Sequence, residues 1–109
     1  MNLTVTPGER YAVVVPEGRF TASGTSQFRG AVDDLIADGS SRIVVDLGVT
    51  EFIDSSGLGA LIGALKAARL AGGDLRLAAA PDAVKRVLSL TNLDRVLTMH
   101  PSSHAAFDD

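Results

Sequence analysis

Three observations predict that this 109-residue sequence folds as an α/β domain. Runs rich in β-branched residues at 2–6, 11–15 and 42–47, and a short apolar run at 75–79, alternate with segments whose apolar residues recur at helical spacing. The run at 42–47, the periodic segment 55–70 and the run at 75–79 follow within about 35 residues, the span of a βαβ crossover, so these two strands are parallel neighbours. Glycine and proline clusters punctuate the junctions where such elements turn.

The elements follow in order. Residues 2–6 alternate polar and apolar, residues 11–15 form a second β-rich run, and Pro7-Gly8-Glu9-Arg10 between them has turn chemistry, so the chain opens on a hairpin. Pro16-Glu17-Gly18 is expected to end the second strand. Residues 23–26 then offer N-caps to a helix carrying Phe28, Val32, Leu35 and Ile36, which Gly39 can close in the left-handed conformation. Residues 42–47 are almost continuously apolar, interrupted only by Asp46, as in a central strand covered on both faces. A polar loop leads to a helix over 55–70 with Leu58, Leu61, Ile62 and Leu65 on one face, terminated by Gly72-Gly73. After the strand at 75–79, Pro81 suits the first turn of a third helix that turns Val84, Val87 and Leu88 inward and Lys85 and Arg86 to water. Residues 96–99 are the expected last strand. Pro101-Ser102 starts a short helix through Phe107, with fraying expected at Asp108-Asp109. This gives one domain over 1–109 with about five strands and four helices.

Composition narrows the function. At 46% hydrophobic and 21% charged, the chain carries apolar material for a single core. A net charge of −3 with ten scattered Lys and Arg residues provides no basic field, which argues against nucleic acid as a partner. Without cysteine there is neither a disulfide framework nor a thiolate metal site, and the two histidines, His100 and His104, cannot build a zinc site alone. No metal and no cofactor is therefore assigned. The start, MNLTVTPGERYAVVV, lacks a basic region followed by an apolar core, and no run approaches the ~20 apolar residues of a membrane span, so the expected location is cytoplasmic without membrane insertion.

Chemistry concentrates at one junction, Asp54-Ser55-Ser56-Gly57-Leu58-Gly59. Two hydroxyls stand where a helix begins. The first N–H groups of a helix lack internal partners and carry partial positive charge, so an added anion is favoured there. A phosphoryl group would add about −1.5 to −2 charges at a place the fold tolerates. Gly57 and Gly59 either let another protein's backbone approach the serines or simply allow the helix to pack closely on the sheet. Serine is also a preferred N-cap, so Ser55 has a purely architectural reading as well.

This motif resembles that of STAS-domain anti-sigma factor antagonists, the bacterial anti-anti-sigma factors. The likeness extends to Val44-Val45-Asp46-Leu47 with Phe52-Ile53 before the motif, Gly72-Gly73 after it, and Val84-Lys85-Arg86-Val87-Leu88 ahead of Leu93, covering roughly residues 10–100. It implies a STAS-like mixed sheet flanked by helices and no catalytic residues or enzymatic activity. It also implies a phosphorylatable serine directly after the aspartate, here Ser55. The unphosphorylated form would bind an anti-sigma factor that is also a serine kinase of the GHKL type and release a sigma factor. Phosphorylation would switch this off, and a Ser/Thr phosphatase would restore it. The implied partner-binding residues are Asp54, Ser55, Ser56, Gly57, Leu58, Gly59 and Leu61. Where many members carry an acidic residue after the second strand, this chain has Gly18-Arg19-Phe20-Thr21, a departure that bears on how efficiently Ser55 is phosphorylated and by what kinase.

Other readings are weaker. An esterase elbow needs glycine before the nucleophile, which neither serine has, and a base from His100 or His104. Gly57-Leu58-Gly59-Ala60-Leu61-Ile62-Gly63 misses the dinucleotide spacing, and no Gly-Lys-Ser/Thr phosphate loop occurs. Asp33, Asp34 and Asp38 read as a solvated helix face, as do Lys66 and Arg69. The remaining rival is a stand-alone STAS accessory or scaffold subunit of a lipid or anion transporter or a stress complex, in which Ser55 only caps the helix.

Overall fold

In the computed structural model, which describes residues 1–108, the opening hairpin is β1 (Asn2–Thr6) and β2 (Ala12–Phe20), paired antiparallel. There follow α1 (Ala22–Ala37), β3 (Arg42–Asp46), β4 (Thr50–Ile53), α2 (Ser55–Leu70) and β5 (Asp74–Ala78). The chain closes with α3 (Asp82–Leu90), a 3-10 turn over Leu93–Arg95, β6 (Met99–His100) and α4 (Ser103–Ala106). The sheet order is β1-β2-β3-β5-β6, mixed because only the β1–β2 pair is antiparallel, and β4 joins β2 off this path. The expected crossover is present: β3 and β5 are parallel neighbours over their full length, with α2 between them in sequence.

Burial of apolar side chains separates the faces of the sheet. Ala12, Val14, Ile43, Val45, Leu75 and Leu77 turn toward α1, α2 and α3 and form the main core with Phe28, Leu61, Leu65 and Leu88. The opposite face, with Val44 and Ala78, is covered by Ala106 and Phe107 at the end of the chain. Asp46, the polar interruption in β3, lies at this second face. Its Oδ2 accepts from the Ser103 hydroxyl at 2.9 Å and its Oδ1 from the Gly48 N–H at 2.9 Å, so one carboxylate pins both α4 and the turn after β3.

Four boundaries differ from the sequence reading. The second strand does not end at 16–18 but runs on to Phe20, because Gly18 adopts φ +85° and takes up a register shift, letting β2 leave β3 and pair with β4. Its new neighbour holds it in place: the buried Thr50 hydroxyl donates to Pro16 O at 2.7 Å, and Gly18 N–H to Val49 O at 2.9 Å. Hence Phe52-Ile53, expected in a loop, belongs to a sixth strand. Helix α1 begins at Ala22, ahead of the serines expected to cap it, since Thr21 is still extended. Near the C-terminus, Asn92 at φ 59° starts the 3-10 turn, and the last strand begins only at Met99. Gly39 and Gly72 have φ of +88° and +89°, as their helix-ending role requires. Of the residues expected to fray, Asp109 lies outside the described residues.

Candidate functional site at the start of α2

β2 and β4 run parallel and finish level, with Phe20 opposite Ile53, and the Asp54 N–H donates to Phe20 O at 3.3 Å. Each strand passes straight into a helix, so the starts of α1 and α2 lie side by side at one end of the molecule. Asp54 is extended (φ −109°, ψ −173°), and its Oδ1 accepts from Gly57 N–H at 3.1 Å while its carbonyl accepts from Leu58 N–H at 2.9 Å. The aspartate is therefore the N-cap, and the carboxylate sits where the helix end favours negative charge.

Because Asp54 fills the cap, Ser55 does not, contrary to its architectural reading. It is the first residue of α2, it is exposed, and among the described residues nothing hydrogen-bonds its hydroxyl. Ser56 is half-buried. The two glycines part company. A Cβ on Gly57 would stand 2.5 Å from Phe20 O and 2.7 Å from Ile53 Cγ1, so this glycine is the contact that seats α2 on the ends of β2 and β4. A Cβ on Gly59 would meet nothing within 4 Å, and its face of the helix is open. The expected effects are opposite in sign: Gly57→Ala loses about 1–3 kcal/mol through forced backbone displacement, whereas Gly59→Ala gains up to about 1 kcal/mol from helix propensity. Denaturant titration of the two variants measures both.

Of the seven residues expected to meet a partner, Asp54, Ser55, Ser56 and Gly59 contribute surface. Gly57, Leu58 and Leu61 are buried, Leu61 completely, and their role is to hold the helix start in place. Two apolar residues that sequence reasoning did not single out as surface lie just before the motif: Val49 and Phe52 are 52% and 41% exposed. The Arg19 guanidinium lies over the Phe52 ring, 4.3 Å from its centroid. No local signal marked Phe52 as outward, because β4 has four residues and both Glu51 and Phe52 are exposed.

Other candidates fall elsewhere. Arg69 is fourteen residues along α2 from Ser55, roughly 21 Å at the helical rise, and bonds Asp74 at 3.2 Å. Lys66 and the carboxylates Asp33, Asp34 and Asp38 are exposed. His100 lines a cavity with Ala79, Lys85 and Pro101, and His104 borders the β1–β2 turn. Among the described residues neither histidine hydrogen-bonds Ser55.

Fold and site together define a class: a small α/β domain with a mixed sheet and an exposed serine at the start of a long helix. The chain belongs to the STAS-domain family, whose model described as "Mlab, STAS domain" matches residues 6–99. A Thermotoga maritima protein provisionally named an anti-sigma factor antagonist is 31% identical over 98 residues, which span 89% of this chain and 87% of that one. A crystal structure of such a T. maritima protein superposes with a TM-score of 0.88 at 28% identity, covering 97% of this chain and 92% of that one. The Bacillus cell fate determinant SpoIIAA in its phosphorylated form shares the fold, with a TM-score of 0.74 at 19% identity over 95% of this chain and 96% of that one. Among the described residues no helix is long and apolar enough to cross a membrane.

Proposed function

We propose that this chain is an anti-sigma factor antagonist, without enzymatic activity of its own, that binds an anti-sigma factor of the GHKL kinase type when unmodified. Phosphorylation of Ser55 switches the binding off, and a Ser/Thr phosphatase reverses it. Family membership supports the antagonist role, and one observation carries the switch: the Ser55 hydroxyl is exposed and unengaged at the N-terminus of a sixteen-residue helix. A hydroxyl that capped the helix would be tied to the backbone and costly to modify. Here Asp54 caps instead, so a phosphoryl group can be added without removing a structural hydrogen bond. The free helix N–H groups then stabilise the new charge.

The docking surface in this reading is Asp54, Ser55, Ser56 and Gly59, bordered by Phe52 and Val49. Gly18-Arg19-Phe20-Thr21 places no acidic side chain where β2 ends, so from these positions nothing repels the incoming ATP phosphate and nothing assists removal of the serine proton. Incubation with the purified cognate kinase and ATP, followed by tandem mass spectrometry, tests the assignment. Phosphate is expected on Ser55, with none on Ser56 and none in Ser55→Ala. Modification of Ser56 would show the switch to be misplaced, and an unmodified protein would refute it.

A further inference from the structure

We propose that the free edge of β1 is a self-association surface, and that two copies of this chain pair their β1 strands antiparallel about a two-fold axis at Thr4. An edge strand presents unpaired N–H and C=O groups, and folded proteins usually blunt such edges with charge, proline, brevity or cover. This chain does so at two of its three edges. β6 has two residues and runs directly into Pro101, and β4 is packed against α3. At β1 none of these devices is present: Asn2-Leu3-Thr4-Val5-Thr6 is five residues long, regularly registered against β2, uncharged and free of proline. Four of its five residues are exposed.

The strand is also complementary to itself. Placing the axis at Thr4 sets Leu3 opposite the partner copy's Val5, Val5 opposite its Leu3, and Asn2 opposite its Thr6. Leu3 and Val5 share the helix-bearing face, because Val5 stands opposite the buried Val14 and Leu3 packs against the main core. The axis therefore brings apolar side chains together on that face and covers Val5, which is 37% exposed in the single chain. On the other face Thr4 meets Thr4, and asparagine and threonine meet across the pair. No like charges are opposed, which would disfavour pairing. Pro7 follows at once and ends the ladder, so the register that uses all five residues is the one centred on Thr4. The result is an isologous dimer with one sheet running through both copies. It forms at the side edge of the sheet and does not depend on the phosphorylation reading.

Sedimentation of the full chain from about 10 μM to about 1 mM should show the weight-average mass climbing from one copy toward two. Thr4→Glu and Thr4→Lys each place like charges at the axis and should remain monomeric at the top of that range, with unchanged melting temperatures. Mixing them one to one should restore the dimer. Amide exchange at residues 2–6 should slow as the wild-type concentration rises. A wild type that stays monomeric throughout overturns the proposal, as does a dimer indifferent to either substitution or a mixture that fails to reassociate.

Discussion

Ser55→Asp is expected to weaken binding of the cognate anti-sigma factor by roughly 30- to 150-fold, while Ser55→Ala binds as wild type. Two unit charges 4 Å apart at an effective dielectric of 20 interact by about 4 kcal/mol, and screening of so exposed a group reduces this to about 2–3 kcal/mol. Asp54 already carries one negative charge at this point, and its carboxylate is committed to the Gly57 N–H, so it cannot swing aside to relieve a second. Any interface closing over both residues must therefore bury the added charge next to an existing one. Raising the salt concentration should narrow the difference between the two variants, because part of the loss is Coulombic. Equal affinity of Ser55→Asp and wild type in a calorimetric titration would remove the electrostatic basis of the switch. A large loss with Ser55→Ala would instead show that the hydroxyl itself is a binding contact.

The second large effect concerns the opposite face of the sheet. Phe107 is 1% exposed, stacked on Tyr11 with ring centroids 5.8 Å apart, and lies under two guanidinium groups, Arg42 at 4.8 Å and Arg76 at 4.3 Å. Its carbonyl accepts from Arg10 at 3.2 Å, and the Ala106 carbonyl accepts from Arg76 at 2.9 Å. This clamp holds the short α4 over Val44 and Ala78 on the central strands. Phe107→Ala is expected to cost about 3–5 kcal/mol, as truncation of a buried phenylalanine does, and to lower Tm by at least about 12 °C. Thermal and denaturant unfolding measure it. A loss below about 1 kcal/mol would mean that the end of the chain is only loosely laid on the sheet.

These two regions show which parts of the molecule were legible in the sequence. The helix start at Ser55 and its end before Gly72 could be read because capping residue, apolar spacing and terminating glycine are all local signals within one stretch. The βαβ crossover followed from the lengths of three consecutive segments. What escaped depends on distant partners. The continuation of β2 through Pro16 and Gly18 is legible only once Thr50 and Val49 are known to bond it, and β4, with four residues, is too short for alternation to declare itself. The helix expected from Pro101-Ser102 through Phe107 reads as marginal because so short a segment has little helical stability alone, and α4 is shorter still. Its anchorage comes from arginines at 10, 42 and 76, which the sequence scatters and the sheet brings together.

At the site, the motif located Ser55, but the resemblance did not divide the neighbouring residues into surface and core as the apolar spacing does. The resemblance implied Leu58 and Leu61 at a partner surface, although their helical spacing sets both on the apolar face. They point inward because helical periodicity serves the core first, and the outward positions passed to Ser55, Ser56 and Gly59. The outward pair Phe52 and Arg19 emerged only from the β2–β4 register.

The central claim is that a phosphoryl group on Ser55 acts at the surface, leaving the fold intact while abolishing recognition. It is met most directly by preparing the wild-type chain phosphorylated at Ser55 and unmodified, and titrating each with the same anti-sigma factor while recording amide NMR spectra of the free forms. The expected result is strong binding by the unmodified chain alone, with shifts between the two spectra confined to residues around 54–59 and the adjoining start of α1. Equal binding, or shifts spread through the core strands, would contradict it.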